Sequence, residues 1–284
     1  MSAFDSQALT SFAGTYPEQP TLLDHRLVGH ELLELDSLAA LAARLRPIDV
    51  EYNRGDLPVG IDPAATPANG LSVEETIRRI EQCGSWMVLK FIEQDPLYRD
   101  FLHEVLGALE GAVDGATGAM LKREGFIFIS SPEAVTPFHF DPEHNILLQI
   151  RGTKTITIFP ANDESLVSSE EHERFHNGGH RNLPWQEGFA ERGRPFELEP
   201  GRAVYVPVKA PHWVKNGPGV SISFSVTWRS EWSYREEYAR RMNQLLRRAG
   251  LRPRAPQRYP HQNHLKSLGY RAIDKARRLT GAAS

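Results

Sequence analysis

The chain has 284 residues, a formal net charge of −3 and a single cysteine, Cys83. That length suits one large domain with extensions, able to bury roughly three quarters of its unfolded surface. One cysteine excludes a disulfide framework, a zinc ribbon and a four-thiolate iron–sulfur cluster. No run approaches the ~18 apolar residues of a membrane span, and MSAFDSQALTSF lacks the basic-then-apolar order of a signal peptide. A cytoplasmic protein without a membrane partner is the expectation.

The first 60 residues are mixed, with one helical stretch predicted from Asp36 to Leu45, capped by Asp36 and stopped by Pro47. Residues 54–70 are rich in proline and glycine and read as an ordered arm. Ser72 followed three residues later by Glu75 is a capping-box pattern that predicts a helix to about Cys83. SWMVLKF reads as a short edge strand. Asp95-Pro96 is a start signal, and Leu97, Phe101, Val105 and Leu109 recur every four residues, which predicts an amphipathic helix to Val113.

From Gly125 the period changes. FIFIS, PFHFD, NILLQI, TKTITIF, RAVYVPV and VSISFSVTW are short β-branched and aromatic runs separated by turn formers, the pattern of a sandwich or jelly roll. The connection from Pro160 to Arg194 shows no convincing strand, and so long a loop is usually functional. After Trp228 the helical period returns. Tyr234, Tyr238, Met242 and Leu245 form one stripe; Leu265, Leu268, Ala272, Ala276 and Leu279 form another. The chain thus divides into an N-terminal arm with helices (1–115), a β core (116–230) and C-terminal helices (231–284). Those last helices are basic: residues 229–284 hold 14 Lys and Arg against 4 Asp and Glu. No helix-turn-helix, RNP sequence or zinc finger accompanies them, so nucleic acid is not the expected partner.

Chemistry concentrates in Thr136-Pro-Phe-His-Phe-Asp141. On a strand, His139 and Asp141 project from one face and Phe138 and Phe140 from the other. One imidazole and one carboxylate are two-thirds of a facial iron site, and His212, after RAVYVPV, is placed to complete it. With eleven histidines in the chain such a pattern is weak alone, and a core histidine with a turn aspartate before Pro142 is the simpler reading of it. Lys154 adds to it, because it shares its strand face with Ile156 and Ile158 and so starts on the interior side. A buried ammonium needs an anion or loses its proton; a cosubstrate carboxylate would serve, as would snorkelling to water at the strand's mouth.

The runs TPFHFDPEHNILLQIRGTKTITIFP, ELEPGRAVYVPVKAPHWV and VSISFSVTW resemble the JmjC and cupin-like Fe(II)/2-oxoglutarate oxygenases, most closely the branch of the asparaginyl hydroxylase that acts on hypoxia-inducible factor. The resemblance implies a mainly β protein with helical flanks, built on a double-stranded β-helix of the jelly-roll, cupin/JmjC kind. It implies His139, Asp141 and His212 as iron ligands, with 2-oxoglutarate and O2 as cosubstrates. Lys154 would hold the distal carboxylate of 2-oxoglutarate with Thr136 as hydroxyl partner, and Asn145 would lie near its metal-bound end. It further implies hydroxylation of a peptide or protein side chain, or of an amino-acid-like small molecule, and a homodimer formed through the C-terminal helices. One position departs: Val226-Thr227-Trp228 stands where that hydroxylase has Asn-Phe-Trp. The alternatives are a regulatory cupin that only binds, and a metal-dependent cupin enzyme that uses no 2-oxoglutarate.

Three further readings follow. His172, His176 and His180 recur every four residues, but two adjacent glycines, Gly178 and Gly179, argue against a helix through them; they read as part of a mobile loop. His144, three residues after Asp141, reads as a turn residue and not a ligand. Trp185, alone among the tryptophans, is expected to line a substrate groove.

Overall fold

Two antiparallel sheets face one another in the computed structural model, which describes residues 2–55, 59 and 68–280. The strands are β1 (Thr21–Asp24), β2 (Val50–Arg54), β3 (Ser85–Lys90), β4 (Met120–Ser130), β5 (Val135–His139), β6 (His144–Arg151), β7 (Lys154–Ile158), β8 (Arg194–Leu198), β9 (Arg202–Val206), β10 (His212–Asn216) and β11 (Ser221–Ser230). The larger sheet runs β1-β9-β6-β11-β4-β3-β2, the smaller β5-β10-β7-β8. This is the expected jelly roll with helical flanks. The 54–70 arm falls mostly on residues outside those described.

Alternation along the strands explains what each face does. In β11, Ile222, Phe224, Val226 and Trp228 join the large apolar cluster under the N-terminal helices. Ser221, Ser223, Ser225 and Thr227 occupy the opposite face and are equally buried. In β6, Ile146, Leu148 and Ile150 follow the first set, while Asn145, Leu147 and Gln149 follow the second. One face therefore seals the sheet to helices and the other lines the space between the sheets. The apolar part of that lumen is Leu147, Ile156, Ile158, Phe196, Leu198, Val204, Val206, Ala210 and Val214.

The β6–β7 turn is tight. Gly152 sits at φ +68°, and a Cβ there would lie 2.2 Å from the Val220 carbonyl oxygen, so only glycine fits. The turn fixes the register that places Lys154 opposite Asn216 of β10 and Leu198 of β8.

The N-terminal segment does more than pack on the core, since β1, β2 and β3 extend the large sheet. SWMVLKF is accordingly not an edge strand: β3 lies between β4 and β2. The partner was concealed by its sequence, VEYNR, whose polar alternation resembles a loop. The helix predicted from Asp36 spans Leu35–Ala42, with Glu34 at the cap position and no side-chain cap bond. The Ser72–Glu75 capping box is present, but its helix ends at Arg78 and continues to Cys83 only as turns. The Asp95 helix begins as expected, its carboxylate accepting from the Leu97 and Tyr98 amides, then divides into Pro96–Gly107 and Glu110–Thr117. Leu97, counted on its apolar face, is 56% exposed.

The long connection from Pro160 to Arg194 is structured. It holds the helix Ser169–Phe175, started by a second capping box between Ser168 and Glu171, and a 3-10 helix at Glu187–Arg192. His172 and His176 are buried on that first helix and its C-cap, contrary to the mobile-loop expectation; His180 alone lies in the loop beyond. The signal for the helix, Ser168-x-x-Glu171, was in the sequence and was outweighed by the glycines that follow it.

After α1 (Ser6–Thr15), α2 (Leu35–Ala42), α3 (Val73–Arg78), α4 (Pro96–Gly107), α5 (Glu110–Thr117) and α6 (Ser169–Phe175), the C-terminal helices α7 (Glu231–Arg248) and α8 (His264–Leu279) pack together. The Tyr234–Leu245 stripe of α7 meets α8: Tyr238 stacks on Tyr270 at 5.9 Å, and Met242 lies beside Gly269. The α8 stripe behaves differently. Leu265, Leu268 and Leu279 are 90%, 57% and 79% exposed, because α8 turns Ser267 and Tyr270 inward instead. No described helix is long and apolar enough to cross a membrane.

Candidate metal centre

His139 closes β5 and His212 opens β10, and the two are Cα partners in the ladder. Directly opposed residues share a sheet face, and both imidazoles point into the lumen with ring centroids 4.2 Å apart. Asp141, two residues on, brings its carboxylate to the same point: Oδ2 lies 3.9 Å from His139 Nε2 and 3.7 Å from His212 Nε2. One donor atom from each residue lies within 4.8 Å of the other two.

The tautomers are fixed by the backbone. His139 Nδ1 donates to the Pro137 carbonyl at 2.7 Å, and His212 Nδ1 donates to the Ala210 carbonyl at 2.9 Å. A neutral ring whose Nδ1 carries the proton presents a lone pair at Nε2, the atom facing Asp141. Burial, aided by the neighbouring His212, lowers His139 to about 3, so its ring is neutral at ordinary pH. Burial pushes Asp141 up, but the Arg181 guanidinium beside it outweighs this and holds the carboxyl below its usual range. Three lone-pair donors thus face one point with no proton between them, which suits a cation. Two nitrogens and one oxygen leaving open positions match a non-haem Fe(II) site.

Two supports for Asp141 were invisible in the sequence. Arg181 donates to Asp141 Oδ1 at 2.5 Å, leaving Oδ2 for the imidazoles. The backbone around it pairs with β5: Phe140 N–H reaches the Arg181 carbonyl, Leu183 N–H reaches the Phe138 carbonyl, and His139 bridges Asn182. Behind the aspartate, the Lys209 amide donates to the Asp141 carbonyl at 2.7 Å. Lys209 holds a left-handed φ of 60° and is anchored by its buried ammonium on Glu236, 2.8 Å away, which in turn receives Arg240. Only an arginine in a loop, and a lysine before Ala-Pro-His, marked these roles in the sequence; neither pattern is specific.

Lys154 lies deeper. His212 is opposite Ile158 and Asn216 is opposite Lys154, so four residues of strand, about 13 Å, separate the metal row from the lysine row. The lysine is 5% exposed and no described carboxylate pairs with it. Burial lowers its ammonium to about 7. Snorkelling is therefore not its solution. Thr136 is opposite Val214, a lumen residue, and so faces inward too. Asn145 lies near the metal end of β6, and Ser225 donates to its Oδ1 at 2.8 Å, which leaves the amide nitrogen free to donate. Val226, at the position of the missing amide, points to the helical layer, while Ser225 and Thr227 form the lumen wall there.

The remaining sequence readings resolve separately. His144 is not on a turn; it opens β6, fully buried, bonded to the Tyr205 hydroxyl and Ser230 Oγ at 2.9 Å each and stacked on Trp228. It lies outside the donor cluster, as expected. Trp185, half-buried, packs against an aromatic cluster of Phe138, Phe159, Phe189 and Trp213.

Residues 99–234, which hold His139, Asp141, Lys154 and His212, match the cupin-like domain family. The whole fold is similar to that of E. coli ycfD, with a TM-score of 0.50 and 14% identity over 94% of this chain and 66% of that one. It is also similar to structures of Escherichia coli YcfD described as a ribosomal oxygenase (TM-score 0.47, 14% identity, 99% of this chain and 67% of that one) and of the same protein in complex with cobalt and 2-oxoglutarate (0.46, 16%, 95% and 65%). The chain spans just under two thirds of the length of ycfD, and at such identity the likeness extends to the fold alone. The matched segment places its donor cluster at one end of the lumen and Lys154 at the other.

Proposed function

We propose that the protein is an Fe(II)- and 2-oxoglutarate-dependent oxygenase that hydroxylates a peptide or protein side chain, or an amino-acid-like small molecule. The observation that carries this reading is the unpaired Lys154 ammonium in the same lumen as the His139–Asp141–His212 donor set. A structural lysine would have been given a carboxylate partner, as Lys209 has Glu236; Lys154 has none among the described residues, which is what a removable diacid requires.

Ferrous iron with the keto acid and O2 supplies the oxidising power for C–H hydroxylation, the keto acid being decarboxylated to succinate. The chain's own groups bind and orient. His139, Asp141 and His212 would hold the iron, Lys154 and Thr136 the distal carboxylate, and the Asn145 amide would donate at the metal-bound end. The apolar lumen excludes water between the two rows. A metal cupin that ignores 2-oxoglutarate leaves Lys154 without a purpose, and a purely binding cupin leaves the donor set without one.

Anaerobic addition of Fe(II) and 2-oxoglutarate is expected to give a weak visible charge-transfer band, and O2 is then expected to give succinate. Iron-loaded, folded protein that shows neither would refute the reading. The dimer implied by the family resemblance would use the open leucine face of α8, so a Leu265→Glu/Leu268→Glu variant should sediment as monomer where the parent sediments as dimer. A monomeric parent would remove that part of the proposal.

A further inference from the structure

Lys209 stands where the backbone calls for glycine. The Ala210 amide donates to the Pro207 carbonyl at 3.0 Å and closes the turn Pro207–Ala210. Its third residue, Lys209, holds φ +60°, while Val208 stays out of the positive region. A turn with positive φ only at its third residue takes glycine there, because a Cβ strains the left-handed backbone. Lysine adds a second cost, since its side chain is 1% exposed and its ammonium is taken out of water. Such a residue persists only where its surroundings hold it. The holder is Glu236 of α7, equally buried: its Oε2 lies 2.8 Å from Lys209 Nζ, and its Oε1 receives Arg240 Nε at 2.8 Å.

The same turn is joined to two of the three metal donors. The Lys209 amide donates to the Asp141 carbonyl at 2.7 Å. The next residue, Ala210, offers the carbonyl that receives His212 Nδ1 at 2.9 Å. The backbone angles of Lys209 lie between these two hydrogen bonds, so relaxing them moves one bond against the other. Whatever keeps Lys209 in its left-handed conformation therefore also keeps Asp141 and His212 in register.

We infer that Glu236 is a positioning residue for the metal centre: by pairing with Lys209 it locks the turn that fixes Asp141 and His212 relative to one another. Glu236 contacts no metal donor among the described residues and acts through the turn alone. The inference rests on the metal-binding part of the oxygenase reading and makes α7, a helix outside both sheets, a determinant of metal affinity. It also separates two consequences of losing the ion pair. A variant that keeps the strained backbone should let the turn relax and loosen the metal, whereas one that removes the strain together with the pair should not.

The test titrates the full chain with cobalt(II), whose visible d–d band reports coordination geometry. Lys209→Met keeps the strain and loses the anchor, so it should bind cobalt roughly 10- to 100-fold more weakly, the range for groups that orient metal ligands, and its band should shift. Lys209→Gly loses anchor and strain together; it should stay within about threefold of the parent, the remainder being glycine's extra freedom, and keep the parent's band. Glu236→Gln should match Lys209→Met in the parent background and leave cobalt affinity unchanged in the Lys209→Gly background. An ion pair that only stabilised the fold would give the opposite order, because glycine empties the larger space. Glycine binding no better than methionine, or cobalt affinity unmoved in both, would overturn the inference. Should Glu236→Gln not fold, the two Lys209 variants decide without it. Parent protein that binds no cobalt overturns the metal-centre reading itself, and this inference falls with it.

Discussion

Replacing Lys154 by methionine is expected to make the ligand-free protein more stable and to abolish its affinity for 2-oxoglutarate. Burial lowers the ammonium from 10.5 to about 7, with no acid among the described residues to offset it. A group whose folded pKa lies below its unfolded value binds fewer protons when native, so stability rises with pH between the two values. The window is therefore pH 7 to 10.5. Below pH 7 both states carry the proton and the full penalty applies, of the order of 5 kcal/mol for this shift. Methionine fills much the same volume with no charge to desolvate. At pH 6 the variant should melt roughly 10 °C higher than the parent, with the difference shrinking toward pH 10. Adding 2-oxoglutarate should raise the parent and not the variant, because the carboxylate supplies the missing partner. Thermal melts at several pH values, with and without the diacid, read all of this. A variant that melts lower, or that still binds 2-oxoglutarate, would show that the lysine is structural and return the choice to a cupin that uses the metal alone.

The sequence disclosed the site better than it disclosed the frame around it. His139, Asp141 and Lys154 were legible because strand alternation is a two-residue rule: once PFHFD and KTITI are strands, the faces follow. His212 needed only a strand after RAVYVPV, and the ladder pairs it with His139 directly. What failed was anything decided by distant partners. β2 looked like loop because its sequence, VEYNR, is polar, yet it completes the sheet beside β3. The α8 leucines looked like a packing stripe because amphipathicity says which residues share a face, and not which face meets α7. Arg181 and Lys209 escaped for the same reason. Their roles come from strand pairing and from an ion pair 27 residues along the chain, contacts that no local pattern encodes. The helical histidines His172 and His176 were lost to a competing local signal, the glycines just beyond a capping box that had already fixed their helix.

Removing one donor should separate the metal's role from the scaffold's. Without a cation, Asp141 Oδ2 faces two imidazole lone pairs at 3.9 and 3.7 Å, a cluster of acceptors with no donor among them. A divalent ion converts that mutual repulsion into three attractions, so metal should stabilise the parent strongly: about 2.7 kcal/mol at a hundred times the dissociation constant. His212→Ala removes one attraction and also one source of repulsion. The metal-free variant is thus expected to melt close to the metal-free parent, while its metal-dependent rise disappears. Groups that merely orient metal ligands are worth 10- to 100-fold in affinity, so loss of a ligand itself should exceed roughly 100-fold, and succinate formation should fall to background. Metal titrations followed by thermal shift, beside a succinate assay, give both quantities from one preparation. A His212→Ala protein that keeps its metal response would mean that the ion sits elsewhere, and the convergence of these three side chains would then be only packing at the mouth of the sandwich.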